Sequence, residues 1–313
     1  MTRETLRLAV VGAGRMGRVH LRALEAAPSV EVAAVVEPDA AVREELESAG
    51  MRVHATLDEL HEGGGVDAAL VAAPTDRHRE LVGALVTAGL PVLCEKPCCG
   101  RSPDTAETIR AAGEAGVVLQ IGYWRRFVPE LVELRARIAA GEYGELSLVS
   151  CWQWDERPPS PGFRERGGGI LVDMGVHELD QVRWLTGQEV GRVVALPSAV
   201  TSGAPVAGDP DSVQVLAALS AGTIASISLG MRFPPGDSCW VELMGTEGYG
   251  RSLFMWGDGG EQVFLDALAA QGEAFAATVL RGAPQAGATG EDALAAIEAA
   301  ERAAASLAEA VSP

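Results

Sequence analysis

The chain has 313 residues, of which 48% are hydrophobic and 22% charged, and its formal net charge is −18. This length predicts two domains, because single hydrophobic cores stop growing beyond about 250–300 residues. The acidic charge argues against nucleic acids and anionic membranes as partners, since both bind cationic surfaces.

The first 122 residues alternate short apolar runs with amphipathic stretches. The runs predict five buried strands: Leu6–Val11, Val30–Val36, Ala68–Ala72, Pro91–Cys94 and Val117–Ile121. Between them the pattern predicts four helices: Met16–Ala26, Asp39–Ala49, Arg77–Ala88 and Pro103–Ala112. Strands that alternate with helices of this length indicate βαβ units and a parallel sheet. Residues 1–122 are therefore predicted to form one domain.

A glycine-rich run follows the first strand: Gly12, Ala13, Gly14, Arg15, Met16 and Gly17. The glycines allow a tight turn, a close approach to a pyrophosphate and close helix–strand packing, and the helix N-terminus favours phosphate. Glu37 follows 20 residues after Gly17, where a carboxylate accepts hydrogen bonds from ribose hydroxyls and repels a 2′-phosphate. The pattern predicts an NAD site formed by these residues.

Glu95, Lys96 and Pro97 follow a predicted parallel strand at its carboxyl end, where open α/β sheets bind ligands. A lysine at this position can hold a substrate hydroxyl and stabilise alkoxide character as hydride leaves. A surface lysine is the alternative that the residues alone leave open.

After Ile121 the pattern changes, and residues 123–313 are predicted to form a second domain. It begins with a helix and a strand, Glu130–Ala140 and Glu145–Trp154. Further strands are predicted at Ser212–Leu219, Thr223–Met231, Trp240–Met244 and Arg251–Trp256, with closing helices near Gln262–Leu280 and Glu291–Ala310. Consecutive strands joined by short turns pair antiparallel.

Asp173 and His177 lie four residues apart on a predicted helix that runs to about Leu185, so they share a face. Histidine suits a base that takes a hydroxyl proton, and a neighbouring carboxylate can orient it. A surface Asp–His pair is the alternative. The Pro- and Gly-rich loop 155–169 precedes this helix and either covers the site or is an exposed linker. Asp155, at its start, is predicted to contact substrate.

The order and spacing of these motifs resemble the Gfo/Idh/MocA family, which includes glucose–fructose oxidoreductase and inositol dehydrogenase. The resemblance implies a Rossmann domain followed by an α/β domain with a mostly antiparallel open sheet, whose open face forms a homodimer or homotetramer. It implies Lys96, Asp173 and His177 as catalytic residues. It adds Ala73, Pro74, Thr75, His78, Glu95 and Lys96 to the cofactor site.

The run Gly122-Tyr123-Trp124-Arg125-Arg126-Phe127 resembles a stretch of inositol dehydrogenase-like members in which the first arginine, here Arg125, reaches the substrate. Trp124 is bulkier than is common there, and it offers an aromatic wall for a sugar ring. Val128 stands where an acidic residue is usual. Both departures leave the exact substrate open.

We therefore expect a cytoplasmic, NAD-dependent enzyme that transfers hydride between nicotinamide and a secondary carbinol of a cyclitol or sugar, as inositol 2-dehydrogenase does. The alternatives are an NAD-dependent glycosidase of the same fold, an aldose or deoxysugar dehydrogenase, and a cofactor-sensing regulatory protein. The residues before Leu6 do not resemble a signal peptide. The five cysteines form no CxxC pair, and the five histidines show no metal-ligand spacing, so no metal is expected.

Overall fold

The computed structural model describes residues 4–198 and 209–311. The chain forms two compact units. The first comprises Met1–Cys99, Pro103–Trp124 and Leu265–Glu291, and the second comprises Gly100–Ser102, Arg125–Phe264 and Asp292–Pro313. Leu265–Glu291 belong to the first unit, although they lie within the range 123–313 that the sequence analysis assigns to the second domain.

The first unit contains a six-stranded sheet of β1 to β6: Leu6–Val11, Val30–Val36, Val53–His54, Ala68–Val71, Val92–Cys94 and Leu119–Ile121. Helices α1 to α5 connect them: Arg15–Leu24, Ala40–Ser48, Leu57–Gly63, Thr75–Thr87 and Ser102–Ala115. The strand order is β3-β2-β1-β4-β5-β6, and every pairing is parallel. This is the doubly wound dinucleotide-binding order, which confirms the predicted fold class.

The segment Leu265–Glu291 belongs to the first unit because its helix completes the hydrophobic core of that unit. Helix α9 spans Gly260–Arg281, and its Ala269, Phe275 and Ala276 are buried among side chains of the parallel sheet. By length and composition alone, α9 is apolar enough to cross a membrane. Its buried residues show instead that the apolar face of α9 packs against the protein.

The second unit contains a sheet of β7 to β12: Leu146–Trp154, Val190–Pro197, Ser212–Leu219, Ile224–Gly230, Ser238–Gly245 and Tyr249–Trp256. Helices α6, α7, α8 and α10 are Pro129–Ala139, Pro161–Gly167, Val176–Thr186 and Gly290–Val311. The order is β12-β11-β7-β10-β9-β8, with β7 and β10 parallel and the other pairs antiparallel. The expectation of a mostly antiparallel sheet is confirmed.

Candidate functional site

The glycine-rich turn has the geometry of a dinucleotide site. Gly12 has φ of +95°, and a Cβ on Gly17 would lie 2.0 Å from the Gly12 carbonyl oxygen, so both positions require glycine. A Cβ on Gly14 would meet nothing within 4 Å, and no side chain caps the N-terminus of α1. Open space in front of uncapped helix N–H groups suits a pyrophosphate.

Glu37, at the end of β2, is buried and joined to this turn. Its Oε2 accepts the Ala13 N–H at 2.8 Å, and its Oε1 accepts the Asp39 N–H at 2.9 Å. A carboxylate oxygen can accept more than one hydrogen bond, so Glu37 keeps acceptor capacity for a ribose hydroxyl. Arg43 reaches back from α2 and donates to the Glu37 and Pro38 carbonyl oxygens at 2.9 and 2.7 Å. An arginine therefore already lies at the end of β2.

The other predicted cofactor residues of this unit also follow strands at the carboxyl edge of the sheet. Ala73 and Pro74 lie between β4 and α4, and Thr75 begins that helix. His78 is buried, with Nδ1 2.9 Å from the Pro97 carbonyl oxygen and Nε2 2.8 Å from the Ala73 carbonyl oxygen. It therefore links the ends of β4 and β5, and direct contact with the cofactor stays a prediction.

Lys96 follows β5 and is partly exposed, whereas Glu95 beside it is buried. Glu95 Oε2 accepts the Lys96 N–H at 3.0 Å, and Glu95 Oε1 lies 2.7 Å from Nε2 of His20. Burial raises the pKa of Glu95, but the hydrogen bond and charge of His20 and the charge of Lys96 outweigh it. The pKa of Glu95 therefore lies below its ordinary value, and the buried group is a carboxylate.

Lys96 lies in the turn that follows β5, which we call the lysine turn. Cys94, Cys98 and Cys99 flank this turn and are buried. Hydrogen bonding and burial raise the pKa of both Cys98 and Cys99. Thiolates are the reactive form of cysteine, so a raised pKa favours Cys98 and Cys99 as small packing residues.

Asp173 and His177 lie on successive turns in the second unit. Asp173 is in a π-helical turn, Leu171–Gly175, that leads directly into α8, and it is partly exposed. His177 is the second residue of α8 and is 6% exposed. π-Turns within helices occur frequently at functional sites. The structure thus places the predicted acid–base pair at the start of one helix, as the four-residue spacing requires.

Arg125 is buried beneath this helix. Its Nη1 lies 2.5 Å from Glu178 Oε1 and 3.1 Å from Gln181 Oε1, and its Nη2 lies 2.8 Å from Gln153 Oε1 on β7. These bonds fix α8 against the sheet one residue after His177. The structure therefore supports a positioning role for Arg125. Direct contact of Arg125 with substrate stays a prediction, as it does for the buried Trp124 and the partly exposed Asp155.

Arg126 forms a second buried pair with the same helix. Its Nε and Nη2 bind the two oxygens of Asp180 at 3.0 and 2.6 Å, and its Nη1 lies 3.0 Å from Asp292 of α10. By spacing, Asp180 falls on the stripe of Asp173 and His177. Its partner shows that it holds the helix in place.

The loop before the acid–base helix is anchored rather than a free linker. Arg164 of α7 is buried, its Nε lies 2.7 Å from Asp209 Oδ2, and its Nη1 lies 2.8 Å from Asp211 Oδ1. Asp209 Oδ1 also accepts the N–H of Ile170 at 2.8 Å, immediately before the π-turn. The ion pairs of Arg164 on one side of Gly168 and Gly169, and the hydrogen bond of Ile170 on the other, therefore attach the chain to the residues that precede β9.

The sequence analysis did not single out His20 or Asp209. The structure shows that His20 contacts Glu95 and that Asp209 accepts the N–H of Ile170. His20 lies on the buried side of α1 with Gly17, Leu21 and Leu24, so a histidine among apolar neighbours is the available signal. Asp209 has no local signal, since its partner lies 45 residues away. Across residues 4–198 and 209–311, no group of three or more His, Cys, Asp or Glu is placed to hold a metal ion.

A glycine turn between β1 and α1, an acidic residue ending β2 and a lysine after β5 define the class of dinucleotide-dependent dehydrogenases. Comparison with known proteins agrees. Residues 6–123 match an oxidoreductase family with an NAD-binding Rossmann fold, and residues 131–251 match the GFO/IDH/MocA C-terminal domain. The chain belongs to the Gfo/Idh/MocA family and is an NAD-dependent oxidoreductase.

Three similar proteins illustrate the range of the family. The rhizopine catabolism protein MocA of Rhizobium meliloti is 50% identical over 97% of this chain and 95% of its own length. The myo-inositol dehydrogenase Hyg17 of Streptomyces leeuwenhoekii is 38% identical over 77% of this chain and 74% of its own. The crystal structure of a putative myo-inositol dehydrogenase from Sinorhizobium meliloti 1021 superimposes with a TM-score of 0.88 at 30% identity, covering 97% and 98% of the two chains.

Proposed function

We propose that this protein oxidises a secondary carbinol of a cyclitol or closely related ring polyol with NAD. The observation that carries the proposal is that Lys96 follows β5 at the carboxyl edge of the parallel sheet, while Asp173 and His177 lie four residues apart where a π-turn leads into α8, in a chain similar to inositol dehydrogenases. The residues that would hold NAD are the glycine turn, Glu37, and Glu95 at the carboxyl edge of the parallel sheet. When bound, NAD would accept hydride from the substrate carbon.

The chain's own groups then have separate tasks. The imidazole of His177 takes the hydroxyl proton in the oxidation direction, and Asp173 orients that ring and stabilises its cation. The Lys96 ammonium holds the substrate oxygen and stabilises its growing negative charge. In reduction the same proton returns from His177 to the carbonyl oxygen.

The test is a screen for NADH formation by purified protein. Its substrates are myo-inositol, scyllo-inositol, rhizopine, aldopyranoses and deoxysugars, with a 2-hydroxy acid and an amino acid as controls. We expect turnover with a cyclitol or a close derivative. Inert cyclitols together with an active hydroxy or amino acid would refute the proposal. Aryl glycosides included in the screen would reveal a glycosidase, by release of the aglycone without net NADH.

We further propose a homo-oligomer formed by the open face of the second sheet, in a reducing cytoplasm. Large apolar side chains stand 39–57% exposed on its strands: Val194, Leu196, Leu216, Ile224, Met244, Tyr249, Leu253 and Trp256. Trp152 and Trp240 stack nearby with ring centroids 5.1 Å apart. Exposed apolar patches of this kind mark association sites. Leu216→Glu should reduce the mass measured by light scattering, and an unchanged mass would contradict the assignment.

A further inference from the structure

His20 is a buried polar residue that the proposed reaction does not use. It lies on the apolar side of α1, is 1% exposed, and makes its hydrogen bond to Glu95. A buried histidine must form a hydrogen bond to offset its loss of hydration, whereas an apolar side chain at the same position would need no such partner. Packing alone therefore does not explain a histidine at position 20.

Glu95 uses its two carboxylate oxygens in different directions. Oε1 lies 2.7 Å from His20 Nε2, and Oε2 accepts the backbone N–H of Lys96 at 3.0 Å. Because a carboxylate is a rigid planar group, a hydrogen bond to one of its oxygens also limits where the other oxygen can lie. The contact with His20 thus determines where the Lys96 backbone is held.

The surroundings of Glu95 leave it little freedom. A Cβ on Gly122, at the end of β6, would lie 3.2 Å from the Glu95 Cα, Cδ and Oε1 atoms. The titratable groups that act on Glu95 are His20 from α1 and Lys96 in the same turn. Gly122 contributes no titratable group. The carboxylate therefore occupies a fitted space and has His20 as a side-chain partner.

We propose that His20 is the positioning residue of the lysine turn: it orients the Glu95 carboxylate, which in turn fixes the backbone that presents Lys96. The inference rests on the function proposed for Lys96. A small displacement of a group that holds the reacting oxygen lowers the rate about 10- to 100-fold. Loss of His20 should therefore lower kcat while leaving the glycine turn and Glu37 intact.

The activity test compares three variants at one pH. His20→Leu should lose kcat by about tenfold or more, whereas His20→Gln, whose amide N–H can take the place of Nε2–H, should stay within about threefold of the wild type. Leu21→Ala is the matched control, since Leu21 is buried on the same helix and packs in the core. It should lower the melting temperature and leave kcat unchanged. Equal kcat losses in His20→Leu and Leu21→Ala would overturn the proposal.

A double-mutant cycle tests the route through Glu95. His20→Leu should lower kcat no further once Glu95→Ala is present, because either change removes the hydrogen bond between residues 20 and 95. Additive losses would overturn the proposal. If His20→Leu does not fold, His20→Asn replaces it. The Asn amide is too short to reach Glu95, so activity retained equally by the Asn and Gln variants would count against the role.

A readout without turnover separates this inference from the proposed function. The side-chain carboxyl carbon of Glu95, followed by NMR, should titrate below the ordinary value of about 4.3 in the wild type and above it in a folded His20 variant that lacks the contact. This result with no polyol oxidised would refute the proposed function and support the positioning role. A Glu95 titration unaffected by the variant would overturn the positioning role even in an active enzyme.

Discussion

The guanidinium of Arg125 lies 2.5 Å from the carboxylate of Glu178, and both side chains are almost fully buried. Glu178 follows His177 directly, so this ion pair fixes the first turn of the helix that carries the proposed base. Burial opposes the charge on Arg125, but Glu178 and the neighbouring sulfur atoms raise its pKa above the ordinary value. The pair therefore holds the first turn of α8 to the segment that precedes α6.

The first prediction concerns the stability of this pair. Glu178→Met and Arg125→Met should each lower the free energy of unfolding by about 3–5 kcal/mol, because each leaves a charged partner buried without its counterpart. The double variant Arg125→Met/Glu178→Met should lose much less than the sum. Urea denaturation measures all three changes. Additive losses would show that the two groups act independently.

The second prediction concerns the anchor of the loop before the helix. Arg164→Met should destabilise the protein by about 3 kcal/mol, because it leaves Asp209 and Asp211 without their buried partner. Arg232→Met is the control. Arg232 also binds Asp211, but its side chain is 43% exposed, and exposed pairs contribute about 0–1 kcal/mol. Hydrogen exchange of the Ile170 amide should accelerate in the first variant alone.

The third prediction gives this anchor a pH dependence. Burial raises the pKa of Asp211, but its hydrogen bonds to Arg232 and Arg164 outweigh it, so the pKa lies below the ordinary value. A lowered pKa in the folded state contributes stability that is fully present above the unfolded value, about 3.9 for Asp. That stability is lost as pH falls through the lowered value. The stability difference between wild type and Arg164→Met should accordingly shrink on acidification, and a difference that grows would contradict the assignment.

The fourth prediction concerns cofactor choice. Glu37→Ser should lower the ratio of kcat/KM for NAD to that for NADP by about tenfold or more, since a hydrogen bond to a charged group contributes about 1.5–3 kcal/mol. Arg43 already binds the carbonyl oxygens of Glu37 and Pro38 and can pair with a 2′-phosphate. Glu31→Ser, at the exposed start of the same strand, should leave the ratio unchanged. If the ratio were unchanged in Glu37→Ser, Glu37 would not determine the preference for NAD over NADP.

The fifth prediction concerns the proposed catalytic groups. Lys96→Met and His177→Ala should each lower kcat about 100-fold or more, because general acid–base catalysis contributes about 10²–10⁴, while NAD titration by fluorescence stays normal. His61→Ala, an exposed histidine of α3, is the control. Oxidation by the wild type should rise from acid pH to a plateau, since the base must be neutral to accept a proton. A flat pH profile would argue against His177.

Local patterns predicted five of the six strands of the parallel sheet. The strands Leu6–Val11 and Val30–Val36 have the predicted bounds, because buried strands read as continuous apolar runs and the glycine turn marks where the first one ends. The two-residue strand β3, the short helix α3 and the edge strand β8 were not predicted. Elements of two to eight residues with few buried positions carry too little periodicity to distinguish them from loops.

The sequence by itself determined the fold class, the cofactor turn and the spacing of Asp173 and His177, because each depends on residues close together in the chain. The tertiary structure alone decided which charged groups form buried ion pairs. Arg125, Asp180 and Arg164 carry the same charges as functional residues, yet each is bound to a partner 45 to 54 residues away. The energy of a charged group depends on its burial and on its partner, and neither is encoded in local periodicity.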